Sequence, residues 1–194
     1  MGNNLSFAGG IHPPHSKYCT EGKKVELCRV PDIVRIPLQQ HMGAPCEALV
    51  KPGDKVKLGQ KIGRPKGFVS APVHSSVSGI VQSIEAADQP NGTRGLAVVI
   101  RNDGEDTPEE SMRPGKLEQL SAEELKDIVM ESGIVGMGGA AFPTHVKLSP
   151  PPEKTIDTVI LNGAECEPFL TCDTRLMLEN PEDILYGLKV IMKI

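Results

Sequence analysis

The sequence predicts an α+β chain of two units, in which an all-β unit precedes the start of an α/β unit. Residues 31–103 contain many short alternating stretches separated by tight-turn residues, a pattern typical of β-strands. From residue 121 to residue 194 the pattern changes to capped helices. Residues 104–120 are charged and contain two prolines, so we interpret them as a linker. Residues 1–30 are predicted to form an irregular N-terminal segment.

The composition narrows the possible functions. The chain has 194 residues, a formal net charge of -4, and aromatic residues at only 3%, so nucleic acid is not expected as a partner. The five cysteines form no C-x-x-C pair, which favours free thiols over a zinc site. No signal peptide pattern opens the chain, and no apolar stretch approaches the roughly 18 residues that span a bilayer. Membrane contact is therefore expected through a partner protein.

The all-β unit resembles the biotinyl/lipoyl domain, whose two similar halves pack as a flattened barrel-sandwich hybrid. Gly53-Asp54 and Gly59-Gln60 are predicted to form the tight turns of that fold. The resemblance implies an exposed hairpin where carrier domains place a modifiable lysine. Lys66 lies near that place but lacks the Met or Asp neighbours of carrier lysines. We expect Lys66 to be an unmodified surface residue and the domain to be a structural or docking module.

A capping box predicts where the first helix of the α/β unit begins. Ser121 is a suitable N-cap, and Glu124 follows three residues later. Gly133 is a natural stop for this helix. The predicted apolar face consists of Leu125, Ile128 and Val129.

Two further elements are expected near the end of the sequence. Residues 157–162 read as a short buried strand. Asn180 as cap and Pro181 in the first turn predict a last helix. Its apolar pattern is still running at Ile194, so we expect the sequence to be the N-terminal part of a longer protein.

A glycine-rich stretch at residues 136–147, which we call the glycine loop, is a candidate ligand cradle. It contains G-x-G-x-x-A, but it follows a helix rather than a strand, which disfavours a Rossmann site. Consecutive small residues expose backbone N–H groups and let a flat ring or a phosphate approach closely. Lys147 adds a cation at the end of the loop. The alternative is an ordinary tight turn between domains.

A second candidate, the acidic loop, covers residues 162–168 and follows the predicted strand. Ligands of open α/β sheets bind beyond the carboxyl ends of strands. Two acids and an amide at this place can hydrogen-bond a ribose, a ribityl chain or a flavin edge. The alternative is a solvated acidic turn. His12 and His15 are too few ligands for a metal site.

The two loops and the N-terminal AGGIHPPHSK together carry a family resemblance. They resemble the flavin- and NADH-binding subunit of respiratory complex I and, more closely, the RnfC subunit of the Rnf ion-translocating ferredoxin:NAD oxidoreductase. GIVGMGGAAFPTHVKL and LNGAECEPFLTCDTRLM occur there in this order. The resemblance implies that FMN is lined by Gly136, Gly138, Lys147, Asn162, Ala164 and Glu165. It also implies that NADH is faced by Gly139, Ala140, Phe142 and Glu167, with Lys147 touching both ligands.

The same resemblance implies a peripheral electron-input subunit at the cytoplasmic face of the cell membrane. It would transfer electrons between ferredoxin and NAD(H) through FMN and iron-sulfur clusters, coupled to ion translocation by the other subunits of the complex. The sequence has no C-x-x-C-x-x-C run, so the two [4Fe–4S] clusters of the family are expected only in a C-terminal part outside it. The 194 residues alone are expected to be inactive in the full reaction.

Two other functions remain open at this point. Cobalamin reductase flavoproteins of the same family have similar loops and would deliver electrons to a corrinoid. The related subunit of the sodium-pumping quinone reductase keeps the glycine loop and would act as a structural scaffold. A flavin absorbance spectrum of the full-length protein separates the scaffold from the two flavoproteins.

Overall fold

The computed structural model describes residues 10–11, 13–89, 92–110 and 116–194. The chain divides into two compact units. The small unit combines the described residues up to Leu27 with Thr158–Leu188, and the large unit combines Cys28–Asp157 with Lys189–Ile194. The linker expected at residues 104–120 lies within the large unit, and its residues 111–115 lie outside the described part. The domain boundary at that place stays a prediction.

Antiparallel sheets form most of the large unit. The described strands are β1 (Ile33–Pro37), β2 (Glu47–Ala48), β3 (Lys55–Val56), β4 (Lys61–Arg64), β5 (Val73–His74), β6 (Gly79–Asp88) and β7 (Arg94–Asn102). One sheet has the order β1-β7-β6-β3 and the other the order β2-β4-β5. All of these strands lie within residues 31–103, where the sequence predicts short strands.

The core of this β domain is aliphatic. Strand β7 contributes four consecutive buried residues, and β6 pairs with it along its whole length. Burial of each such Val or Ile side chain contributes roughly 1.5–3 kcal/mol. The core cluster consists of Ile36, Leu38, Cys46, Val56, Ile62, Val73, Val77, Val81, Val98 and Ile100.

The predicted tight turns are present and repeat the same side-chain bond. Gly53 has φ 92°, a left-handed value that glycine adopts without strain. Lys51 N donates to Asp54 Oδ2 at 2.9 Å, and Lys57 N donates to Gln60 Oε1 at 2.9 Å. The Gly-Asp and Gly-Gln pairs therefore close two matching turns of the barrel-sandwich hybrid, as the sequence predicts.

The helices are α1 (Ala122–Glu131), α2 (Thr144–Lys147), α3 (Cys172–Glu179) and α4 (Pro181–Lys193). The capping box of α1 is confirmed, because Glu124 N donates to Ser121 Oγ and the Glu124 carboxylate accepts from Ser121 N. Helix α4 begins at the predicted Pro181. None of the helices in the described residues has the length and apolar character that crossing a bilayer requires.

The predicted apolar face of α1 is wrong at one position. Leu125 and Val129 are buried, whereas Ile128 is 46% exposed. Residues four apart lie on one stripe of a helix, and only that narrow stripe packs against the rest of the large unit. Ile128 lies beside the stripe and faces solvent.

The strand predicted at residues 157–162 does not form. This segment has no regular secondary structure, and Ile160 is 85% exposed. A strand needs a neighbouring strand to satisfy its backbone groups, and no strand of the described residues pairs with this segment. The apolar composition that suggested a buried strand is real, but the partner strands are not supplied by the described residues.

Candidate functional site

The glycine loop is closed at its base by backbone hydrogen bonds. Gly136 N donates to Phe142 O at 2.9 Å, and Thr144 N donates to Ile134 O at 3.0 Å. An antiparallel bridge lies between these two bonds. The loop therefore has a fixed base and a short tip at residues 137–141.

The tip of the loop exposes bare backbone. Gly138, Gly139 and Ala140 are all exposed. A Cβ atom added to Gly138 or to Gly139 would meet no heavy atom within 4 Å, and Gly139 has φ 132°. A planar ring or a phosphate can thus approach the main chain of the tip without meeting a side chain.

Gly136 and Lys147 come together at the base of the loop. A Cβ atom added to Gly136 would lie 2.7 Å from Lys147 Nζ. The absence of a side chain at Gly136 therefore leaves the space that the ammonium group occupies. A cation beside exposed N–H groups forms an environment that favours an anionic group such as a phosphate.

The loop is anchored to the β domain within the large unit. Met42 N donates to Ala141 O at 3.2 Å, and Ala141 has the left-handed φ of 49°. His145, at the start of α2, is buried, and its Nε2 lies 3.1 Å from Phe68 O. These contacts fix both the tip and the returning segment of the loop to the barrel.

His41, next to Met42, supports this anchor from inside the barrel. Its Nε2 lies 3.0 Å from Ser70 Oγ and 3.1 Å from Ala44 O. Burial lowers the pKa of His41, although the Ala44 carbonyl acts in the opposite direction. The imidazole is therefore neutral at physiological pH and serves as a structural group.

The acidic loop belongs to the small unit and is organised by its own side chains. Asn162 Oδ1 accepts from Ala164 N at 3.0 Å, which forms an Asx-turn. The Glu165 carboxylate accepts from Thr174 N at 2.9 Å, near the N-terminus of α3. That backbone bond is the main cause that lowers the pKa of Glu165. The carboxylate is therefore charged and held in place.

Glu167 differs from Glu165 in how it is used. Its side chain is exposed, and within the described residues its carboxylate makes no hydrogen bond or ion pair. Its backbone oxygen accepts from Lys17 Nζ at 3.2 Å. The loop thus holds the main chain of Glu167 and leaves its carboxylate available to a ligand.

One cluster of possible metal ligands occurs beside this loop. The ligand atoms of Glu165, Cys172 and Asp173 lie within 4.8 Å of one another. Partial desolvation and, to a smaller extent, the charge of Glu165 raise the pKa of the Cys172 thiol. Exposed acidic groups commonly approach each other without an ion, so this cluster carries no metal assignment.

The predicted site residues thus fall into two groups that the structure describes separately. The first group, in the large unit, is built around the contact between Gly136 and Lys147. The second group, in the small unit, is built around Asn162 and Glu165. Sequence reasoning missed Lys17 and Thr174, which hold the acidic loop; the only signal for Lys17 is its place at the end of AGGIHPPHSK.

Comparison with known proteins defines the class of the chain. Residues 5–105 match the protein-family model described as the RnfC barrel sandwich hybrid domain, and residues 129–194 match the one described as the Nuo51 FMN-binding domain. The chain is thus of the redox-complex type, in which a barrel-sandwich hybrid domain precedes a domain of the FMN-binding class. Both predicted domain types are confirmed.

Three curated relatives identify the family. The RnfC-type subunit of the Na⁺-translocating ferredoxin:NAD⁺ oxidoreductase complex of Acetobacterium woodii is 51% identical over 97% of the chain. Its counterpart in the proton-translocating complex of Clostridium ljungdahlii is 48% identical over 97%, and that in the ion-translocating oxidoreductase complex of Rhodobacter capsulatus is 41% identical over 98%. The chain belongs to the RnfC family of redox-complex subunits. It spans 43%, 42% and 37% of the lengths of these relatives.

Proposed function

We propose that the intact protein transfers electrons between NAD(H) and ferredoxin through FMN, as a peripheral subunit of an ion-translocating membrane complex. The observation that carries this proposal is the glycine loop, whose closed base and bare tip lie beside the Lys147 ammonium. Three relatives named as subunits of translocating oxidoreductase complexes support the wider setting.

The glycine loop fits a flavin mononucleotide in chemical terms. FMN, when bound, supplies the exchange of a hydride for single electrons. Lys147 and the backbone at Gly136 would hold its phosphate, and the open backbone at Gly138 would admit a planar ring. In the acidic loop, Asn162, Ala164 and Glu165 would complete the flavin contacts.

NADH would be held by residues that leave a polar group or open backbone exposed. Gly139, Ala140 and Phe142 lie on the glycine loop, and Glu167 lies on the acidic loop. A carboxylate accepts hydrogen bonds from ribose hydroxyls, and the Glu167 carboxylate is exposed and makes no hydrogen bond or ion pair within the described residues. These residues would orient the dinucleotide, while the hydride exchange belongs to the flavin.

The remaining parts of the electron path would lie outside these residues. We place the two [4Fe–4S] clusters in the portion of the longer relatives that this chain does not span. The other subunits of the complex would hold the protein at the cytoplasmic face of the membrane. Ferredoxin would exchange electrons through those clusters and not with the two loops described above.

Glu167→Gln in the full-length protein tests the proposal. The substitution keeps the shape of the side chain and removes its charge. A charge-assisted hydrogen bond to ribose contributes roughly 1.5–3 kcal/mol, so the NADH concentration for half-maximal flavin reduction should rise about tenfold to hundredfold. Bound FMN per protein should stay at the wild-type level. The measurement is stopped-flow flavin bleaching by NADH, beside the absorbance spectrum of the same sample.

Glu153→Gln is the matched control, because Glu153 is an exposed acid outside both loops. It should leave both FMN content and NADH affinity unchanged. Equal losses of FMN and NADH binding in Glu167→Gln would indicate a folding defect and contradict the assignment. A full-length wild-type protein without a flavin spectrum would contradict the proposed function itself.

A further inference from the structure

The N-terminal segment is bound to the turn that carries Glu167. Lys17 Nζ donates to two backbone carbonyls of this turn, Glu167 O at 3.2 Å and Leu170 O at 2.6 Å. Both partners lie within the small unit. One ammonium group therefore bridges the two ends of residues 167–170.

The middle of the same turn is held by neighbours of Lys17. Thr20 Oγ1 donates to Phe169 O at 2.7 Å, and Phe169 N donates to His15 O at 2.8 Å. Phe169 has φ 68°, a left-handed value that is strained for a side chain with a Cβ atom and persists only where the surroundings hold it. The segment at residues 15–20 supplies those surroundings.

A second set of contacts fixes the continuation of the segment to α3. Arg175 and Glu179 form an ion pair of 2.6 Å, with both side chains largely buried. The Glu179 carboxylate accepts from Val25 N at 3.2 Å, and the Arg175 guanidinium donates to Glu21 O at 3.4 Å. The N-terminal segment is thus attached both to the turn and to the helix that follows it.

Lys17 also acts on the other acid of the loop. The Thr174 backbone N–H is the main cause that lowers the pKa of Glu165, and the charge of Lys17 contributes in the same direction. A single lysine side chain therefore contacts the backbone of one candidate ligand residue and favours the ionised form of the other.

We propose that Lys17 is a positioning residue for the dinucleotide, which fixes the turn at residues 167–170 and thereby presents the Glu167 carboxylate to NADH. This inference rests on the proposed function. Lys17 itself would not touch the nucleotide, because its ammonium group is engaged by the Glu167 and Leu170 carbonyls. A carboxylate on an unfixed turn must be ordered on each binding event, which weakens binding.

The test uses the full-length protein with Lys17→Met, which keeps most of the side-chain length and removes the donors. We expect the KM for NADH to rise about tenfold, as for the loss of a charge-assisted contact, with kcat and FMN content unchanged. Lys17→Arg retains a charge and several donors, so it should restore the KM to about the wild-type value. Lys23→Met removes an exposed lysine of the same segment and should have no effect.

A double substitution shows whether Lys17 acts through Glu167. In the Glu167→Gln background, Lys17→Met should add little to the KM, because coupled residues have non-additive effects. If Lys17→Met does not fold, Thr20→Val removes only the hydroxyl donor to Phe169 O and should give a smaller rise in KM. Thermal melting of each variant reports folding independently of NADH.

Three results would overturn the inference: a wild-type KM in Lys17→Met, a parallel loss of FMN, or full additivity with Glu167→Gln. They differ from a failure of the proposed function. In that case the wild-type protein would itself show no flavin reduction by NADH, and no Lys17 variant would be needed to see it.

Discussion

Replacing Gly138 by valine changes the glycine loop at the point where its backbone is most open. A Cβ atom at this position would meet no heavy atom within 4 Å, and the φ of Gly138 lies outside the left-handed region. The substitution therefore removes no contact of the folded chain and introduces no backbone strain. Any effect on ligand binding would come from the ligand's own space.

The expected magnitudes for Gly138→Val follow from that geometry. Folding stability should change by no more than about 0.5 kcal/mol, as for an exposed substitution without special features. Two methyl groups placed where a ring approaches should cost about 1–3 kcal/mol of overpacking. FMN affinity should therefore fall roughly fivefold to hundredfold, while the β domain stays folded.

The assay compares bound FMN per protein with the circular dichroism spectrum of the same full-length sample. Gly67→Val is a matched control, because Gly67 is an exposed glycine of the β domain whose added Cβ atom would also meet nothing within 4 Å. That variant should retain FMN fully. If Gly138→Val also retains full FMN with a native spectrum, the glycine loop is not the flavin cradle, and the proposal would depend on the acidic loop alone.

Three further predictions concern the rest of the chain. Lys66 should carry neither biotin nor a lipoyl group, and an intact mass with either adduct mapped to Lys66 would overturn this expectation. Limited proteolysis should cut first within residues 104–120; early cleavage inside residues 50–100 with that stretch protected would argue against a linker there. Ser121→Ala removes the N-cap of α1 and should lower the free energy of unfolding by about 1 kcal/mol, measured by urea denaturation; an unchanged midpoint would mean that the capping bonds contribute nothing.

Local signals in the sequence were sufficient for much of the fold. The turns at Gly53 and Gly59 and the capping box at Ser121 depend on contacts between residues a few positions apart, so the sequence contains them directly. The start of α3 was missed, because residues 163–175 were predicted to be a loop. Asp173 in the first turn of that helix is the signal that could have found it.

Long-range contacts were beyond sequence reasoning. Apolar residues at 157–162 indicated a strand, but whether a strand forms depends on partners that the segment itself does not contain. The bonds from Lys17 to the acidic loop join residues about 150 positions apart, and no periodicity announces them. The candidate ligand residues came from a family resemblance, and their roles stay predictions.

The backbone bonds at the base of the glycine loop determine which substitutions the loop tolerates. Gly136, Thr144 and Met42 each contribute a main-chain N–H, which every residue except proline can supply. Their side chains are therefore free to change as far as these bonds are concerned, apart from the space that Gly136 leaves to Lys147. Related proteins can accordingly differ widely in loop composition and keep the same loop shape, and proline at any of these three positions is the change that the shape would not survive.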